Sequence, residues 1–189
     1  SLVVDVFKED KGSEALYLPK KIVPLAMHIT LFKAFFPQLI AGPIVKAYEF
    51  LPQITYQYFS KIDWEYCVKK LIIGYFLKMV VADNLKDHTF WMTYPYFLDS
   101  KGFNLIVLLF GYSMQIFADF AGYSSIALGL SGLFGYKLME NFMFPYISSS
   151  FSEFWRKWHI SLSTFLKEYL YIPLGGNRKG NVRTYINLM

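Results

Sequence analysis

Cysteine is nearly missing: Cys67 is the single one in 189 residues. One thiol cannot close an internal bridge, so a disulfide-framed secreted module is excluded. A metal site built on several cysteines is excluded with it, and no metal is expected. Charge is scarce as well, at 17% of the chain, where typical globular domains carry about 25%. Neither an internal repeat nor a low-complexity stretch is visible, and the composition is too apolar for intrinsic disorder. Hydrophobic residues make up 54% and aromatics 20%, led by 19 Phe and 15 Tyr. A soluble chain of this length could not hide so much aromatic surface under a polar shell.

Net charge is +5. The basic residues punctuate apolar runs instead of gathering on a polar background, which points to membrane lipid and away from nucleic acid. The sequence opens at Ser1 without Met or a signal-peptide pattern and closes on Asn187-Leu188-Met189 in an apolar-leaning stretch. The expectation is a single membrane domain over 1–189, an internal piece of a larger protein.

Residues 22–45 are long enough for a bilayer core of about 30 Å. Pro24, His28, Lys33, Pro37 and Gly42-Pro43 interrupt them, and each Pro removes a helix hydrogen bond. Lys8, Lys11, Lys20 and Lys21 precede the segment, and Lys46, Lys61, Lys69 and Lys70 follow it. Basic flanks on both sides argue against a clean single span and predict a re-entrant or broken pair of half-helices. Residues 66–82 form a short helical candidate, and Asp83 to Lys101 has the composition of an outer interfacial loop. From Phe103 to Tyr136 the 34 positions hold one charge, Asp119. As one helix they would extend about 50 Å, more than the core requires. A tilted or broken helix, or two short ones, is expected, with glycines such as Gly122 and Gly129 as break or close-packing points. Residues 137–189 are basic, which places them on the cytoplasmic side. The expected fold class is all-α: a multi-helix integral membrane protein with broken or re-entrant helices.

The stretch from Phe144 to Gly180, FPYISSSFSEFWRKWHISLSTFLKEYLYIPLGGNRKG, carries the chemistry. Ser150 with Glu153 forms a capping box. Apolar residues then recur at helical spacing through Phe151, Phe154, Trp155, Trp158, Leu162, Phe165 and Tyr169. Pro173 and Gly175-Gly176 end the pattern. This predicts an amphipathic helix at about 150–170 that lies in the interface or packs on a membrane core. His159 falls within the apolar stripe, aimed away from bulk water. It is either a core histidine satisfied by neighbours or a general base, since its reference pKa of about 6.5 lets it take and return a proton near neutrality. Asp119, alone in its run, either pairs with a cation between helices or belongs to the site. Arg156 and Lys157 either attract an anionic donor or serve as orientation flanks. Tyr123 and Ser124 are channel-lining candidates. His28 is read as structural, and the Gly175–Gly180 stretch as a turn, since it lacks phosphate-loop spacing.

That stretch, with FFPQLIAGPIV (35–45), QIFADFAGYSSIALGLSGLFGY (115–136) and RTYINLM (183–189), resembles the membrane-bound O-acyltransferase (MBOAT) family. The nearest branch contains the alginate O-acetyltransferase membrane subunit. D-alanyl transferases of the same superfamily resemble WRKWHISLS but are not expected to continue into LYIPLGGNRKG. Ser125 departs from the pattern, where relatives often carry an acid. The resemblance implies a multi-pass protein of the bacterial inner membrane with a central channel. It moves an acyl group, in this branch acetyl, from a cytoplasmic thioester such as acetyl-CoA to hydroxyls of an exported polysaccharide. No bound cofactor is implied, and a periplasmic acetyltransferase is the implied partner. Of the two histidines serving that chemistry, the first maps to His159. The second, in a Trp-His-Gly-type motif beyond RTYINL, is not in this sequence, so the fragment alone is expected to be inactive. Trp155, Trp158, Asp119, Tyr123, Ser124 and Arg156 are the implied substrate or channel residues. The competing class is a transporter or flippase subunit, whose path would also use broken helices, and a third is a soluble amphipathic-helix interaction module.

Overall fold

A computed structural model describes Asp5, Pro19 and residues 21–39, 42–178 and 180–188. Among these residues every regular element is helical. The first predicted segment is broken, as Pro37 and Gly42-Pro43 suggested. Helix α1 (Ile22–Ala34) stops at Phe35, whose backbone is extended, and a short α2 (Phe36–Leu39) follows. Residues 43–46 run without helical structure into α3 (Ala47–Phe50). His28 Nδ1 donates to the Pro24 carbonyl at 2.8 Å, in keeping with a structural role.

The centre of the fold is an antiparallel helical hairpin. Its first arm begins with α4 (Trp64–Tyr75), capped by the Asp63 carboxylate, which accepts from the Tyr66 N–H. The arm then widens into a π-type turn over Phe76–Ala82 and continues as α5 (Asp83–Thr89). It is therefore longer than the predicted 66–82, and the expected outer loop shrinks to 90–101. Asp83 and Lys86 read as loop residues by charge, yet they extend the helix because its opposite face packs on the second arm.

That second arm is α6 (Gly102–Leu133), one continuous helix of 32 residues. The sequence left a broken helix open, and the structure shows none. Its glycines serve close approach. A Cβ on Gly74 would lie 2.8 Å from the Gly122 carbonyl, and one on Gly129 would lie 2.9 Å from the Cys67 carbonyl. The backbones thus meet where small residues face each other. Just past the last residue of α6, Leu133, the chain turns at Gly135, with φ +82°, and the Tyr136 N–H donates back to the Ser131 carbonyl at 2.9 Å. At about 48 Å, α6 is long and apolar enough to cross a bilayer, and it is the one such helix among the described residues. Its N-terminal half presents Phe103, Ile106 and Phe110 outward, at 64% exposure or more, an apolar surface suited to lipid or further helices.

A separate aromatic core joins the broken first segment to the end of α6. Phe32, Phe35, Phe50 and Leu51 are buried, and Tyr136 stacks on Phe50 at 5.0 Å. Full burial of a side chain such as Phe50 contributes about 1.5–3 kcal/mol.

Candidate active site

The predicted amphipathic helix over 150–170 is in fact two. Helix α7 (Phe151–Lys157) and helix α8 (Ile160–Leu166) are separated by Trp158 and His159, and a π-type turn over Lys167–Tyr171 extends α8. The apolar periodicity runs through the break because both helices keep one face on the same core. What interrupts the helix is tertiary: the Met143 N–H donates to the Lys157 carbonyl at 3.0 Å, and the Ile160 N–H donates to the Asn141 carbonyl at 2.9 Å. Those two bonds bracket Trp158 and His159.

The capping box is present in altered form. The Ser150 hydroxyl accepts from the Glu153 N–H at 3.2 Å, while the Glu153 carboxylate reaches Ser149 instead of Ser150, accepting from its N–H at 2.9 Å and its hydroxyl at 2.8 Å. Lys157 donates to the other carboxylate oxygen at 2.6 Å. Lys157 first, and then Ser149, hold Glu153 from 4.5 down to about 2. Its contribution is in place above the unfolded carboxylate value and is lost as pH falls toward 2. Ser150→Ala is expected to cost about 1 kcal/mol, read from thermal unfolding of the full-length protein; an unchanged transition would show that the cap contributes nothing.

His159 occupies the left-handed region, with φ 46° and ψ 56°. Only Phe144 shares a positive φ among the described non-glycine residues. The imidazole is half-buried and meets the Phe120 ring edge-on at 4.7 Å. Among the described residues its nitrogens have no hydrogen-bond partner. Burial pushes its pKa below the ordinary value, which favours the neutral, proton-accepting form at pH 7.

Trp158 sits beside it in an aromatic wall, stacked on Phe154 at 5.5 Å and edge-on to Phe142 at 5.1 Å. Ser124 is buried one helical turn from Phe120, with its hydroxyl unpartnered among the described residues. That spacing puts it on the α6 face that meets His159. Asp119 and Tyr123 share a different face of α6. Lys78 donates to Asp119 and lies over the Tyr123 ring at 5.2 Å. Of the two roles open to Asp119, the interhelical ion pair is the one the structure realises. Trp155 and Arg156 are exposed, so neither joins the group around His159.

Two polar clusters escaped sequence reasoning. Lys46, read as an orientation flank, is 1% exposed and pairs with Glu168 at 2.9 Å and Glu49 at 3.3 Å. Its ammonium also donates to the Tyr48 hydroxyl at 2.9 Å, and that hydroxyl donates to Glu168 at 2.8 Å. The flank reading fails because a paired, buried ammonium is no longer a free interfacial charge. The second cluster joins Asn141 and Ser161 beneath His159. The pair Glu140-Asn141 within the otherwise apolar stretch 138–147 was the only available signal for Asn141.

The sequence profile of the membrane-bound O-acyltransferase family matches residues 20–189. The probable alginate O-acetylase AlgI of Pseudomonas putida is 38% identical across 100% of this chain, which covers 36% of that relative. The peptidoglycan O-acetyltransferase of Helicobacter pylori is 42% identical over 84% of this chain and 31% of its own length. The teichoic acid D-alanyltransferase of Bacillus subtilis is 33% identical over 82% of this chain and 40% of its own. The chain thus spans about a third of the length of the acetylating relatives it matches. The match takes in the divided first helix, the histidine bend and the chain beyond it, and the chain belongs to the membrane-bound O-acyltransferase family.

Proposed function

We propose that the full-length protein is a multi-pass enzyme of the bacterial cytoplasmic membrane. It transfers an acetyl group from a cytoplasmic thioester such as acetyl-CoA to hydroxyls of an exported polysaccharide, through a periplasmic acetyltransferase partner. Family membership supports acyl transfer, and the acetylating relatives support a polysaccharide acceptor. The observation that carries the reading is the His159 imidazole: half-buried, uncommitted among the described residues and held neutral near pH 7.

In this reading an acceptor hydroxyl attacks the thioester carbonyl carbon. The new C–O bond forms, the C–S bond breaks, the hydroxyl proton passes to imidazole, and the imidazolium returns it to the departing thiolate. His159 orients the hydroxyl and shares its proton with the second histidine that the family resemblance implies. The aromatic wall of Phe142, Phe154 and Trp158 limits water and with it hydrolysis of the activated acyl group.

The test is His159→Ala in the full-length protein. Polymer-bound acetate is expected to fall by about 100-fold or more while the amount of protein in the membrane stays constant. Unchanged acetylation would remove His159 from the mechanism. Polymer-bound D-alanine in place of acetate would assign the protein to the chemistry of the D-alanyl relatives. An acid-side decline in rate centred below about 6.5 is expected for the wild type, because burial lowers the pKa of the base.

A further inference from the structure

The bend that carries His159 is built from three segments that meet at one hydroxyl. The Ile44 N–H, on the non-helical run after the broken first helix, donates to Ser161 Oγ at 2.9 Å. With its lone pair so engaged, the Ser161 hydroxyl donates its own proton to Asn141 Oδ1 at 2.5 Å. This polarity fixes the Asn141 amide, and its Nδ2 is left buried without a partner among the described residues. Asn141 and Ser161 are 1% and 0% exposed. Directly above them run the two backbone bonds that bracket Trp158 and His159.

A left-handed backbone at a residue with a bulky side chain persists only where its surroundings over-determine it. Stopping a helix does not require this arrangement. A glycine at 159 would turn the chain without strain, and apolar residues at 141 and 161 would avoid a dry polar pair. The strained residue is the one with the uncommitted imidazole; the buried pair fixes the backbone after it, at Ile160 and Ser161, and Met143, two residues beyond Asn141, holds the Lys157 carbonyl before it.

We propose that Asn141 and Ser161 are positioning residues for His159: they hold the bend that aims the imidazole and act on acyl transfer only through it. This rests on the reading of His159 as a participant in that transfer. Loss of the Ser161 hydroxyl leaves the Ile44 N–H and Asn141 Oδ1 unpaired, and the bend relaxes toward continuous helix, turning the ring away from Phe120. The ionised groups on the surrounding elements are already engaged: Asp119 with Lys78 on α6, Glu153 with Lys157 on α7, Glu140 with Lys70 beside Asn141, and Glu168 with Lys46 beyond α8. Arg156 is exposed. Substitutions at 141 and 161 leave the second histidine unaltered, so the displacement they cause in the acid limb reports the hydration of the His159 ring.

The experiment uses the full-length enzyme, assayed below its unfolding transition. Ser161→Ala and Asn141→Ala are expected to lower kcat by about tenfold or more, to leave KM for the thioester unchanged, and to move the acid limb of kcat upward as the ring becomes wetter. Ser161→Thr keeps the hydroxyl and should retain the wild-type limb, which secures the test should Ser161→Ala not accumulate. An unchanged kcat in Ser161→Ala, a loss with an unmoved limb, or a Ser161→Thr enzyme with a displaced limb would overturn the proposal. If His159→Ala keeps full activity, the reading of His159 itself fails. If His159→Ala is inactive while Ser161→Ala matches the wild type, only the positioning role fails.

Discussion

Lys46→Ala in the full-length protein is expected to lower stability by about 2–3 kcal/mol, measured by thermal unfolding in detergent. Breaking one side of a buried ion pair costs about 3–5 kcal/mol, because the surviving charge loses the ion that offset its burial. Glu168 remains 31% exposed here, and water will recover part of that cost. The loss is compounded at Tyr48, whose hydroxyl receives a hydrogen bond from Lys46 and donates one to Glu168. Replacing both charges, as Lys46→Met with Glu168→Leu, should cost less than Lys46→Ala alone, since the Glu168 carboxylate leaves with the ammonium it pairs with and only the part-exposed Glu49 loses Lys46. Equal unfolding temperatures for Lys46→Ala and the wild type would show that the cluster does not hold residues 42–50 against the chain after α8.

Gly122→Leu is expected to be at least as damaging, for a steric reason. A Cβ at this position would lie 2.9 Å from the Gly74 carbonyl and 2.9 Å from the Lys78 backbone nitrogen. Neither atom belongs to a flexible side chain that could swing aside. Ordinary overpacking costs about 1–3 kcal/mol, and a leucine wedged between two backbones should exceed the upper end of that range. The hairpin then separates, and the full-length protein should fail to accumulate in the membrane. Gly122→Ala should fall within the ordinary range. Gly102→Ala, where a Cβ would meet nothing within 4 Å, should change stability by less than about 0.5 kcal/mol. A Gly122→Leu protein with wild-type unfolding would refute the close-packed hairpin.

These two positions also mark where the sequence could and could not be read. Helical content and the family were legible, the first from apolar periodicity and the second from motif blocks. The role of the α6 glycines was half legible: spacing identified them as special, but only the opposing backbone of α4 decides between a break and a close approach. Lys46 was misread because its partner is 122 positions away, and a basic residue beside an apolar run looks like a flank. The division of 151–170 left no trace in composition, since neither proline nor glycine stands at 158–159. It depends on backbone bonds from 141–143. Asn141 and Ser161 were invisible for the same reason: their meaning lies in contacts across the fold.

Lys78 and Asp119 have a bearing on how the chain enters a bilayer. A lone ion at the centre of a membrane helix resists partition by about 3 kcal/mol on insertion scales, and Asp119 is the one ion on α6. Lys78, which also pairs with Asp83 on its own arm at 3.1 Å, meets the Asp119 carboxylate across the hairpin. The cost of placing the α6 carboxylate in hydrocarbon is thereby lowered by the neighbouring arm.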